Sequence, residues 1–347
     1  MSRRKLYLND APGERRGVVT LGGRPERLIL DRAGEPETPW LGGRHVARLA
    51  RIERAIASAF LDLGDGQEAL LALSGEAKAL AEGQIVEIEI TAEARRGKLA
   101  LARFVGAGQG AARALNQRPD TAARLQAYVP GAAIVQGREA RDMADRAEAE
   151  VLTVEHALPG GGSLAIEPTR ALVAVDVDLG ARQGDARRIA RQVNHQALEE
   201  AARLLRLKGL GGLVVIDLVG AGHDAAALST VARQAFAPDE PGVALGPLSR
   251  FGLLQLAIPW RVRPLAEQLC GAGVSEPAPE TLALRLLRSL EREAEADRGA
   301  RLVARCHPAV AQASAAYSAA LSARIGARFE IRPDAGLAPE EMEISPQ

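Results

Sequence analysis

The sequence predicts an α/β multidomain protein with a small OB-like β-barrel, an α/β half after it and a small α+β tail domain. Three observations carry this. Five short strand-like runs between His45 and Val105 are separated by Gly-containing turns and show no long helical period. Further on, an amphipathic helix of about 22 residues lies between two apolar, β-branched runs, the pattern of a β–α–β unit. A Pro/Gly-rich break at Gly271–Pro279 then precedes an alternation of helix and strand.

In order, residues 1–35 read as a hairpin-like strand pair, LYLND and RRGVVTLGGRPERLILDR, turning at Gly22-Gly23. Residues 36–106 hold the barrel, with strands HVARLARIE, ASAFLDLG, EALLALS, GQIVEIEIT and KLALARFVG. In 107–150, GAGQGAARALNQ (beginning at Gly106) and REARDMADRAEAE read as helices around a short strand, AAIV. Residues 151–270 are α/β. VLTVEHAL, GSLAIEP and RALVAVDVD are strand candidates, followed by a helix capped by Asp185 and stopped by Gly209. Its apolar stripe is Ile189, Val193, Ala197, Ala201, Leu204 and Leu205, and the strand GGLVVID follows. A helix near 224–236 and the strand SRFGLLQLAI complete this part, and 271–347 form the tail.

Lys plus Arg and Asp plus Glu number 44 each, so no global basic field advertises a nucleic acid, although a local groove can still be basic. The two cysteines, Cys270 and Cys306, belong to no CxxC pair, which leaves neither a disulfide framework nor a four-cysteine zinc site. The sequence shows neither the apolar stretch of a signal peptide nor a membrane span, so a cytoplasmic protein is expected.

Chemistry concentrates on three aspartates. Asp176 and Asp178 interrupt ALVAVDVDLG, and Asp217 ends GGLVVID. These runs read as buried strands of a parallel sheet, where an ionised carboxylate is costly unless compensated. Alternation places Asp176 and Asp178 on one face, about 6.6 Å apart along the strand, and neighbouring strands lie about 4.8 Å apart. The three could therefore share a Mg²⁺ ion at the strand ends. Asp185 and Asp224 read as helix caps and His195 as a solvated mid-helix residue, while His223 is a secondary candidate for the aspartate site.

Several stretches resemble the ribonuclease E/G family of single-strand-specific bacterial endoribonucleases. RIERAIASAFLDLGDGQEALLAL is similar to its S1-type RNA-binding barrel. LPGGGSLAIEPTRALVAVDVDLGA, ARLLRLKGLGGLVVIDLV and SRFGLLQL resemble its DNase I-like catalytic subdomain, and HPAVAQ and RFEIRPD its tail domain. The resemblance runs in family order over about two thirds of the chain. It implies an S1-type OB β-barrel inserted before an RNase H/DNase I-like α/β catalytic domain, with residues 107–150 as a reduced RNase H-like part or linker. It also implies Mg²⁺-dependent hydrolysis of phosphodiester bonds in single-stranded RNA, in RNA processing or decay. Asp176 and Asp217 fall on the family's metal-binding aspartates, and Asp178 falls where the family has an Asn that orients the scissile phosphate. Phe60 matches a base-stacking aromatic of the barrel. Arg206, Lys208 and Arg250 are candidate phosphate contacts.

The departures are equally specific. The CPxC zinc motif is reduced to Cys270, so zinc is not expected, and a homodimer would not be zinc-linked. The segment that senses a 5′ monophosphate is missing. The basic stretch after Asp217 is replaced by VGAGHDAAALSTVARQAFAPDEPG, with a single Arg. Two alternatives stand beside the nuclease: a non-catalytic RNA-binding or ribosome-associated factor of the same fold, and a metal-dependent phosphohydrolase of small molecules.

Overall fold

The computed structural model describes residues 4–181, 184–222, 224–239, 242–271 and 276–347. Strands β1 (Arg4–Ala11), β2 (Glu14–Leu21) and β3 (Arg24–Arg32) make an antiparallel meander, three strands where a pair was expected. The turns are Pro12-Gly13 and Gly22-Gly23, whose glycines all take positive φ.

The five expected barrel strands are present: β4 (Arg44–Glu53), β5 (Ser58–Gly64), β6 (Gln67–Ala72), β7 (Ile85–Ala92) and β8 (Ala100–Ala107). Their order is β5-β6-β8-β7-β4, with β4 pairing back onto β5, so the sheet closes into an OB-like barrel. Only β6 and β8 pair in parallel within it. Period-two alternation sends Leu49, Leu61, Leu71, Ile88 and Ile90 into its own core.

Beyond the barrel lie β9 (Arg113–Ala114), α1 (Thr121–Gln126), β10 (Ile134–Val135) and α2 (Arg138–Leu152). The helix expected over 106–117 does not form. Gly106, Gly108 and Gly110 fall in five residues, each costing a helix about 1 kcal/mol. Gly108 instead lets the chain pass the Val86 backbone, where a Cβ would sit 2.6 Å from its carbonyl carbon. Strand β10 pairs in parallel with β1, so chain from both sides of the barrel builds one sheet, β10-β1-β2-β3.

The second sheet comprises β11 (Glu155–Ala157), β12 (Ser163–Pro168), β13 (Val173–Asp178), β14 (Gly212–Asp217), β15 (Ala244–Leu245) and β16 (Leu253–Ile258), ordered β11-β12-β13-β14-β16-β15. Helix α3 (Ala186–Lys208) joins β13 to β14, and α4 (Ala225–Phe236) follows β14. Asp185 caps α3 by accepting from the Arg188 amide at 2.7 Å, and Gly209 ends it at φ 68°. Val193, Ala197, Ala201, Leu204 and Leu205 pack from α3 onto one face of the sheet, in a core shared with β1–β3 and α2.

After α5 (Leu265–Cys270), the last part contains α6 (Pro279–Ala296), β17 (Leu302–Cys306), α7 (Pro308–Ser314), α8 (Ser318–Ile325), β18 (Phe329–Pro333) and β19 (Met342–Pro346). Its sheet is ordered β18-β17-β19 and has its own core.

A buried ionic network fastens this part to the first sheet. Arg16, fully buried on β2, bonds Glu148 of α2 at 3.1 Å, and Arg288 of α6 bonds Glu14 and Glu148 at 2.8 and 2.9 Å. Burial alone would raise the Glu148 pKa, but Arg288, Arg285 and Arg16 outweigh it and hold the carboxyl at about 2. Among the described residues, no helix is long and apolar enough to cross a membrane.

Candidate active site

Strands β13 and β14 pair in parallel with Asp176 directly opposite Asp217, which places both carboxylates at the same end of adjacent strands. The strands themselves differ from the sequence expectation. Only this pair is parallel, since β12 and β16 flank it antiparallel, and burial alternates rather than running continuously. Val173, Val175 and Val177 face the helices, as do Val214 and Ile216, while Asp176, Asp178 and Asp217 are exposed on the opposite, open face. The aspartates therefore carry no desolvation penalty that a cation must offset. What singles them out is the alignment of two carboxylates on an uncovered surface.

The third aspartate does not complete a trio. Asp178 accepts from the Gly180 amide at 2.6 Å and so closes the turn leaving β13. Among the described residues, no group of three or more His, Cys, Asp or Glu side chains is arranged to hold a metal ion. Two in-register carboxylates open to water nevertheless suit Mg²⁺, which takes one or two carboxylates and keeps several waters. Neither Asp176 nor Asp217 makes an ion pair with the described residues.

Two devices fix the chain beyond Asp217. Buried Asn194 of α3 donates to the Val219 carbonyl at 3.0 Å and accepts from the Val219 amide at 3.1 Å. On the other side, the Leu218 amide reaches the Gly252 carbonyl at 3.3 Å. Gly252, at φ 84°, belongs to a turn in which the Ser249 hydroxyl accepts from the amides of Phe251 and Leu253. Because Leu253 pairs with Asp217, the turn holds Arg250 and Phe251 at the aspartate end of the sheet. Arg250 is exposed and lies 4.7 Å from the centre of the Phe251 ring. Phe251 is 73% exposed and was not singled out in the sequence, where SRFGLLQL reads as the start of a strand. A large aromatic between charged Arg and flexible Gly was the available signal.

On the barrel, Phe60 points outward: its neighbours Ala59 and Leu61 are fully buried, while it is only half-buried and lies under the Arg51 guanidinium at 4.4 Å. A stacking face is thus available beside a cation.

Arg206 and Lys208 do not present themselves as phosphate contacts. Arg206 is buried between Glu26 at 3.0 Å and Asp239 at 2.7 Å. Lys208 is 6% exposed and donates to the carbonyls of Glu150, Val151 and Thr153, closing the C-terminal turn of α2. Burial pulls its pKa down to about 8. Both sit at the apolar end of an amphipathic helix whose long side chains reach partners that sequence spacing does not reveal. His195 is half-buried, with Nε2 enclosed and without a partner, rather than solvated. His223 lies outside the described residues.

Comparison with known proteins meets this geometry. Residues 116–259, which carry both aspartates and the Ser249–Gly252 turn, match the sequence model of the Ribonuclease E/G family. Over this segment, less than half of the chain, the sequence is similar to that family. Ribonuclease E of Haemophilus influenzae is 38% identical over 149 residues, 40% of this chain and 16% of that protein. Ribonuclease E of Escherichia coli is 35% identical over 148 residues, 40% of this chain and 14% of that protein. The chloroplastic ribonuclease E/G-like protein of Arabidopsis thaliana is 34% identical over 120 residues, 33% and 12% of the two chains. The matched stretch spans less than a fifth of these relatives' length, and it is narrower than the two thirds over which the sequence alone resembles the family.

Proposed function

We propose that the chain is a Mg²⁺-dependent endoribonuclease of the ribonuclease E/G type, hydrolysing phosphodiester bonds in single-stranded RNA. The observation that carries this reading is the in-register pair Asp176–Asp217 on the open face of a segment similar to the ribonuclease E/G family. Asp176 and Asp217 would hold the ion, which when bound supplies an acidified water and charge stabilisation at the phosphorus. Around them, the rigid turn brings the Arg250 guanidinium toward a phosphate and offers the Phe251 ring to an unstacked base. Phe60 and Arg51 offer the same pair of chemistries on the barrel, where a single strand can be gripped away from the cut.

A second reading has its own support. Asp178 is an anion close to where phosphate must lie, and Arg206 and Lys208 are occupied internally, so the site attracts RNA weakly. A non-catalytic RNA-binding or ribosome-associated factor would look the same.

Incubating the protein with an unstructured RNA, in Mg²⁺ and in EDTA, separates the two. The nuclease reading expects product in Mg²⁺ only. A shifted RNA band with no product in either condition supports the binding factor and overturns the nuclease.

A further inference from the structure

Strand pairing stops at Asp217. Its rung joins Asp176 on β13 and Leu253 on β16, and the ladder ends there. A residue on the last rung shares the fraying of the strand end. The Asp217 side chain makes no hydrogen bond or ion pair with the described residues, so the backbone alone aims it.

A side chain takes over where the ladder ends. Asn194 is 1% exposed within α3. Its Oδ1 accepts from the Val219 amide at 3.1 Å, and its Nδ2 donates to the Val219 carbonyl at 3.0 Å. A carboxamide that meets the N–H and the C=O of one residue does what a neighbouring antiparallel strand does. Pairing is thereby extended past Asp217 from the helix side. Packing gives no reason for an Asn here, because the buried residues around it on α3 are Val193, Ala197, Leu198 and Ala201. A buried carboxamide costs free energy unless it is bonded, and Asn is a poor helix former. Gly220 follows the same path. At φ 89° it passes α3 so closely that a Cβ there would lie 3.1 Å from that of Ala190, one turn before Asn194.

We infer that Asn194 is a positioning residue for the Asp176–Asp217 pair. Through Val219 it fixes the end of β14 and keeps the Asp217 carboxylate opposite Asp176 on the open face. Facing carboxylates repel, and a loose strand end would relieve this by turning one of them away. A clamped end cannot, so the pair stays arranged for a cation before one arrives. Asn194 acts only through the backbone, since α3 covers the face of the sheet opposite the aspartates. The inference rests on reading that pair as a cation site.

The test is Mn²⁺ titration followed by electron paramagnetic resonance, with steady-state cleavage of an unstructured RNA in parallel. Four full-length chains are compared, each well below its melting temperature: the parent, Asn194→Leu, Gly220→Ala and Leu198→Ala. Leucine at 194 keeps the volume and loses both bonds. Gly220→Ala leaves Asn194 in place and displaces the same stretch, because an Ala is strained at that φ and crowds Ala190. Leu198→Ala controls for stability, opening a cavity on α3 one turn beyond Asn194. Asn194→Leu and Gly220→Ala should each weaken Mn²⁺ and lower kcat by about tenfold or more, with the KM for RNA within about twofold of the parent. Leu198→Ala should melt lower and change neither Mn²⁺ affinity nor kcat. Should Asn194→Leu fail to fold, Gly220→Ala decides, and in a chain that cleaves no RNA the Mn²⁺ affinities decide. Parent-like Mn²⁺ affinity in the deciding variant, or an equal loss in Leu198→Ala, overturns the positioning role. A parent that binds no Mn²⁺ is a different result, which overturns the cation reading of the pair and the positioning role with it.

Discussion

Two sets of carboxylates in this molecule meet opposite fates. Glu14 and Glu148 are buried, and arginines from β2, β3 and α6 surround them, among them Arg16, Arg32 and Arg288. Asp176 and Asp217 are exposed and make no ion pair with the described residues, although the chain is rich in arginine. Carboxylates with both oxygens bonded to guanidinium are structural, and their charge is already neutralised within the fold. Carboxylates aligned and left open can take a cation from solution. Formal charge and functional group are the same in both places; packing decides which pair can act.

The contrast is most easily broken at the open pair. Asp176→Asn and Asp217→Asn should each lower Mg²⁺-dependent RNA cleavage by about two to four orders of magnitude, the scale of several kcal/mol a bound metal supplies, with little change in melting temperature. Unchanged cleavage rates in either variant would show that the pair does no chemistry.

At the closed pair the loss should be one of folding. Glu148→Gln leaves Arg16 and Arg288 buried beside a neutral group and should cost about 3–5 kcal/mol, read by denaturant unfolding. Acid should have the same effect. The Glu148 carboxyl is held at about 2 in the folded chain against an ordinary 4.5. Its contribution is therefore full above pH 4.5 and lost as pH falls toward 2. An unfolding free energy flat across that window would contradict the network.

Smaller effects sharpen the comparison. Phe251→Ala and Phe60→Ala should each weaken single-stranded RNA binding by about 1–3 kcal/mol, the worth of one base stacked on an aromatic ring, with stability unaltered. Filter binding that shows no change for either ring would remove it from the RNA path. Asp178→Asn removes a negative charge near the phosphate and should strengthen RNA binding by about 1 kcal/mol or less, an effect of a distant charge in water. Weaker binding would assign Asp178 to the ion.

Much of this was legible in the sequence. The barrel strands follow from alternation, and α3 from its stripe and the Asp185 and Gly209 caps, because local patterns determine both. The pairing of Asp176 with Asp217 also follows, since a strand–helix–strand unit sets two runs side by side. Two things were hidden. The open face was missed because Leu213–Ile216 reads as a continuous apolar run, yet Leu213 is exposed and only alternate residues meet helices. Arg206 and Lys208 looked like surface cations because their partners, Glu26, Asp239 and the end of α2, lie far away in sequence.

The central claim is that Asp176 and Asp217 together take one divalent ion and Asp178 does not. Titrating the chain with Mn²⁺ in place of Mg²⁺ and following free Mn²⁺ by electron paramagnetic resonance tests it directly. The account predicts one site per chain, lost in Asp176→Asn and in Asp217→Asn and kept in Asp178→Asn. A site that survives either of the first two substitutions, or that vanishes only with the third, would contradict it.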